Sequence, residues 1–281
     1  MSRLEKVLSY PSIMVHLKPG RANLGVLHVA ANLAARFDAR VIGIAVSQPM
    51  QLDYGVGVYD GSMVQLDRDE VDRDMAAAEG EFRHALRDRN AVEWRSKVLF
   101  TSAAEYIAGE ARSADILITG VTTGTFLNAT PEMSTGDLVM EIGRPVLIVP
   151  ASALEPKLDR VVLAWKDTRE TRRAAMDALP LLRRASHVTV IELAAEDELI
   201  GAGARLRDVA GWLGRHGVVA EIEALHSTSA DSTALDDFAR AQRSDLVVAG
   251  AYGHNRVREW ALGGVTRDLL LRTDRCSLLS H

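Results

Sequence analysis

An internal repeat limits what this chain can fold into more than any other feature. Ala114-Asp-Ile-Leu-Ile-Thr-Gly120 returns as Ser244-Asp-Leu-Val-Val-Ala-Gly250, and Ser12-Ile-Met-Val-His16 returns as Arg160-Val-Val-Leu-Ala164. The 281 residues therefore divide into two copies of one plan, each near the ~100–150 residues at which domains cluster. A linker fits between them, because Leu147-Ile-Val-Pro150-Ala-Ser-Ala-Leu-Glu-Pro156 carries two prolines that cannot continue a strand ladder. The expected units are 1–152 and 158–281.

Within the first copy, β-rich runs at Ile13–Leu17, Val41–Val46, Val92–Leu99, Ile116–Thr119 and Val146–Val149 alternate with helical patterns. Those patterns cover Asn23–Phe37, Asp67–Arg89, Ser102–Arg112 and Gly136–Ile142. The second copy has strand patterns at Val161–Ala164, Val188–Leu193, Val218–Ala224, Leu246–Ala249 and Ser277–Leu279, with helices near Glu170–Arg184, Ala202–His216, Ser232–Arg243 and Val265–Leu271. Strand then helix, repeated, predicts an α/β fold with a parallel sheet. Ser102-Ala-Ala-Glu105 has capping-box spacing and marks a helix start. The first copy also carries an excursion, Ser47 to Gln65, whose glycines open no helix and read as a surface loop.

One repeat continues into a glycine-rich loop. After Gly250 come Ala-Tyr-Gly253-His-Asn-Arg-Val-Arg-Glu-Trp-Ala-Leu-Gly263-Gly264-Val265-Thr266. Glycines lack a Cβ and let backbone N–H groups approach an anion, and a helix starting near Val265 would offer unpaired N–H groups and a positive dipole end. The spacing is that of neither a P-loop nor a dinucleotide fingerprint. The pattern is loose in a chain with 21 glycines, but its place between the fourth strand and last helix of a unit puts it where α/β ligands sit.

This chain resembles the universal stress protein family in its tandem form. The family motif Gly-x2-Gly-x9-Gly-Ser/Thr is matched at Gly250, Gly253 and Gly263, with Gly264 where Ser or Thr is usual. The resemblance implies two fused five-stranded parallel-sheet units with helices on both faces, adenine nucleotide alpha hydrolase-like and Rossmann-like. It also implies ATP or another adenine nucleotide, with or without Mg, in the motif-bearing copy, and pairing of the units through their last strands. Carried over, Gly250, Gly253, Gly263 and Gly264 wrap the phosphates while Val265 and Thr266 supply helix-start contacts. Gly264 keeps the N–H donor but surrenders a hydroxyl hydrogen bond worth about 0.5–1.5 kcal/mol.

The larger departure is at the end of each first strand, where the family carries Asp. Ala164-Trp165-Lys166-Asp167 and His16-Leu17-Lys18-Pro19 put lysine there, and an ammonium in that slot either meets phosphate or points into solvent. His254, Arg256 and Arg258 fall inside the loop, as phosphate partners or as an exposed basic stretch. Val257, Trp260 and Leu262 have helical spacing and read as core. The first copy has lost the second and third glycines. Ser134, Thr135 and Gly136 can still cap its last helix, but Asp137 would repel a triphosphate, so that copy reads as structural.

Other chemistry is excluded or unsupported. A net charge of −5 gives no broad attraction for nucleic acid or anionic membrane. Cys276 is the only cysteine, which removes internal disulfides and thiolate zinc sites, and the eight histidines show no ligand spacing. With no leader-like or membrane-length apolar run, the expectation is a cytoplasmic protein. The residues furnish no catalytic mechanism. The resemblance implies a nucleotide-binding stress-response protein, with a slow ATPase or a dimerising scaffold with a vestigial site as alternatives. A homodimer of chains is a further expectation from the resemblance.

Overall fold

The computed structural model describes residues 9–48, 61–99, 101–121, 133–151, 157–227, 231–251, 264–271 and 274–281. The first half runs β1 (Ser12–Leu17), α1 (Leu24–Phe37), β2 (Arg40–Ser47), α2 (Gly61–Ala85), β3 (Val92–Val98), α3 (Ala103–Glu110), β4 (Ile116–Gly120), α4 (Thr135–Glu141) and β5 (Val146–Val149). The second runs β6 (Arg160–Trp165), α5 (Arg169–Leu182), β7 (His187–Ala194), α6 (Leu199–Arg215), β8 (Glu221–His226), α7 (Asp231–Ala241), β9 (Leu246–Gly250), α8 (Gly264–Leu271) and β10 (Cys276–Ser280).

All ten strands form one sheet in the order β3-β2-β1-β4-β5-β10-β9-β6-β7-β8. Neighbours within each half pair parallel. The halves join where β10 pairs antiparallel with β5, Ser277 opposite Ile148 and Leu279 opposite Val146. That inversion makes the strands of one half point against those of the other, so their carboxyl ends lie on opposite edges of the sheet.

Alternating strand residues feed two cores. Val15, Ile118, Leu163, Val190 and Val248 face α1, α2, α5 and α6, and this apolar layer runs through both halves. Met14, Leu117, Val162 and Val247 face α3, α4, α7 and α8. Strands buried on both faces are the expected form of a parallel sheet covered by helices. Polar ties also cross the seam. Tyr10 Oη donates to Asp177 O at 2.5 Å, Arg173 Nη2 to Gly143 O at 2.8 Å, and the Arg184 guanidinium lies 4.4 Å over the Phe37 ring.

The repeated aspartate has a structural task. Asp115 N donates to Ser12 O, and Asp115 Oδ2 accepts from Ser12 N, both at 2.8 Å. Asp245 does the same for Arg160, with N to O at 2.9 Å and Oδ2 accepting at 3.0 Å. Each aspartate thus fixes the register between the first and fourth strands of its half. Ser102 caps α3 as its spacing predicts, accepting from Glu105 N at 3.3 Å.

Several boundaries differ from the sequence expectation, those of β8 and α2 most. β8 begins at Glu221, not Val218, because Val218 takes part in the stop that follows α6. Gly217 there takes φ +79, and Val218 N returns to Leu213 O at 3.0 Å, a helix stop that uses the apolar residue after the glycine. Helix α2 starts at Gly61, so one glycine of the excursion does open a helix, contrary to expectation, and residues 49–60 lie outside the described residues. No described helix is long and apolar enough to cross a membrane.

Candidate functional crevice

β6 lies between β7, its successor, and β9, which arrives from the other side. Chain direction diverges at their carboxyl ends, and such a switch point leaves a crevice. Ala164 is level with Ala249, and one residue further on β6 ends at Trp165 and β9 at Gly250. A short turn follows Lys166, with Thr168 N donating to Lys166 O at 2.6 Å. Thr168 then caps α5, its Oγ1 accepting from Thr171 N at 3.4 Å. On the other wall, Ala251 N donates to Ser280 O at 2.8 Å, and Ala251 O lies 3.1 Å from His281 Nδ1.

The residues singled out from the sequence take distinct positions around this crevice. Ala164 and Trp165 are half-buried at the end of β6, and the indole Nε1 is buried with no partner among the described residues. Lys166 is exposed. Gly250 ends β9, Gly264 opens α8, Val265 is half-buried and Thr266 is buried. Gly253, His254, Arg256, Arg258 and Gly263, with Val257, Trp260 and Leu262, lie outside the described residues.

Gly250 has a packing reason for its size. A Cβ there would lie 2.5 Å from Thr171 N and 2.6 Å from the carbonyl carbon of Glu170, so the first turn of α5 sits directly on the end of β9. The matching Gly120 meets nothing nearer than Val26 Cγ2 at 3.5 Å.

Arginines engage the carboxylates around the crevice. Asp167 pairs with Arg172 at 2.6 Å, both exposed. Glu192, buried on β7 and level with Trp165, accepts from Arg205 Nε at 3.0 Å and Nη2 at 2.5 Å. The hydrogen bonds that Arg205 donates to Glu192 raise the Arg205 pKa. Glu170, buried at the start of α5, accepts from Arg169 Nε at 2.5 Å. Burial pushes the Glu170 carboxyl up, but the Arg169 bond and its companions outweigh that and hold it below its usual value. Sequence reasoning did not select Glu192 and Arg205. A lone acid inside the apolar run Val188-Thr-Val-Ile-Glu192-Leu193 was the available signal, since such an acid is buried only with a partner.

The first half closes the equivalent place. Lys18 Nζ donates to Gly120 O at 3.0 Å and Val121 O at 2.9 Å, laying its ammonium across the end of β4. Asn23 locks the same loop. Its Oδ1 accepts from Lys18 N at 2.9 Å, and its Nδ2 donates to Lys18 O, Arg21 O and Glu81 Oε2. His16, buried beside Thr119 Oγ1 at 3.0 Å, has its pKa lowered to about 3 by burial and the Lys18 charge. Ser134 caps α4 by accepting from Gly136 N at 3.1 Å.

Against known structures, the chain superposes along its whole length on a universal stress protein from Archaeoglobus fulgidus DSM 4304. The two are 13% identical with a TM-score of 0.70, covering 95% of this chain and 97% of that one. A functionally unknown protein from Pseudomonas aeruginosa PAO1 gives 16% identity and a TM-score of 0.64 over 99% and 94%. No protein-family model matches the chain, and no curated protein does. Full-length superposition together with the repeated five-strand order shows that this chain has the fold of a tandem universal stress protein.

Proposed function

We propose that the second half binds one adenine nucleotide, ATP or a close relative, at the carboxyl ends of β6 and β9, and that the protein serves as a nucleotide-binding stress-response module. The contrast between the two crevices carries this reading. In the first half an internal ammonium covers the end of β4, whereas in the second the matching lysine is exposed just past the end of β6. The described walls suit an anion. Helix α8 opens on Gly264, which presents backbone donors without a side chain, and arginines already engage the nearby carboxylates.

The test is to release small molecules from freshly purified protein with acid and identify them by mass, then titrate the emptied protein with ATP in a calorimeter. One adenine nucleotide per chain is expected, with loss of uptake in a Gly253→Val, Gly263→Val double variant. Absence of bound nucleotide together with no heat at millimolar ATP refutes the reading and leaves a scaffold. Phosphate release above that of the double variant would identify a slow ATPase.

A further inference from the structure

The two halves place a lysine immediately after their first strands and send it in opposite directions. Lys18 turns inward onto the carbonyls of Gly120 and Val121. Lys166 is exposed, and its ammonium has no hydrogen bond or ion pair with any described residue. On the connection from β6 into α5 the other cations are engaged, Arg169 by Glu170 and Arg172 by Asp167. The acids are engaged as well: Asp167 by Arg172, Glu170 by Arg169, and Glu192 by two bonds from Arg205. On the connection from β6 into α5, the ionised side chain left without a counter-charge is a cation.

That charge pattern bears on the form in which a polyphosphate is taken. Magnesium bound with a nucleotide is ordinarily held through one or two carboxylates as well as the phosphates. Here Asp167 and Glu192 would first have to leave an arginine, and the one Glu170 oxygen without a partner, Oε2, is buried. A lysine ammonium, by contrast, is a compact point charge with three donors and a good phosphate partner. Metal binding also removes two negative charges from the nucleotide, which weakens its attraction to an ammonium.

We propose that Lys166 supplies, at the crevice of the second half, the positive charge that a divalent cation would otherwise bring, so that a nucleoside polyphosphate binds there as the metal-free anion. This rests on the reading that the second half holds a nucleotide. Lys166 is then the residue that sets the metal preference of the site, and Lys18 is its counterpart turned to closing the first half.

Calorimetric titration with ATP in excess EDTA and in excess magnesium tests this on the full chain. Wild-type protein should bind at least as tightly in EDTA and several-fold more weakly in magnesium. Lys166→Met should lose about tenfold in EDTA, the size of one charge-assisted hydrogen bond, and should lose most of the difference between the two conditions. Lys166→Asp should bind only with magnesium. Thermal melts should show both variants folded, because the side chain is exposed. Wild-type binding that requires magnesium, or a Lys166→Met variant that matches wild type in EDTA, overturns this inference and leaves the nucleotide reading standing. No binding in either condition overturns both.

Discussion

Gly250→Ala isolates the contact between α5 and the end of β9. Neither Gly250 nor Gly120 has a positive φ, so the backbone accepts alanine at both sites and only space distinguishes them. At Gly250 the new methyl would lie 2.5 Å from Thr171 N, 2.6 Å from the Glu170 carbonyl carbon and 2.9 Å from Thr171 Oγ1. Two of these are helix backbone atoms, so relief requires moving the first turn of α5. Overpacking of this kind costs about 1–3 kcal/mol and at times more. At Gly120 the nearest atom is 3.5 Å away, so alanine there makes ordinary contact and gains about 0.4–1 kcal/mol from a less flexible unfolded chain. We expect Gly250→Ala to be less stable than Gly120→Ala by about 3 kcal/mol. Urea titrations followed by far-ultraviolet circular dichroism, with nucleotide removed, measure the difference. If the two variants agree to within about 0.5 kcal/mol, α5 does not rest on Gly250 as described, and the small residue has no packing cause.

Three further predictions concern buried groups. His16 is neutral when folded, with its pKa lowered from 6.5 to about 3. The unfolded chain therefore binds the proton first, and stability falls as pH drops below 6.5. Relative to His16→Gln, the wild type should lose about 2 kcal/mol between pH 7 and pH 5 in urea titrations. The Cys276 thiol, buried in β10 with its pKa pushed up to about 12 by burial and by Asp245, should resist maleimide in the native state and react once the sheet opens in denaturant. Arg205→Met strands the buried Glu192 carboxylate. Because Arg205 is 38% exposed, solvent screening limits the loss, and adding Glu192→Leu should recover most of it in the same titration.

Sequence made the layered architecture legible because its cause is local. Alternating β-rich and helical runs reflect burial on the two faces of a strand, and the Asp115 and Asp245 copies stood out as a repeat. Their duty, holding the opening amide of the first strand, joins residues 103 positions apart at Ser12 and Asp115, and no local pattern announces it. Gly250 was legible as a glycine that matters, but its motif suggested phosphate, and contact with the Thr171 amide emerges only when α5 is seated. Lys18 and Lys166 look alike in sequence. Their opposite directions depend on what each loop meets: Asn23 and Glu81 tie the first loop, while Thr168 caps a helix directly after the second. Val218 misled because an apolar residue after Gly217 serves a helix stop as well as it serves a strand.

The antiparallel joint between β5 and β10 has the geometry by which two separate copies would meet about a twofold axis. Made within one polypeptide, it needs no second molecule and is formed at any dilution. It also frees the two sides from being identical. A substitution in an association of equal subunits appears on both sides at once, so a lysine that seals one mouth would seal the other. Here the genetic instruction for each mouth is written separately, and they face opposite edges of the sheet. Lys18 can close the first without dictating what the second does, and the closed half still lends its apolar layer to its neighbour.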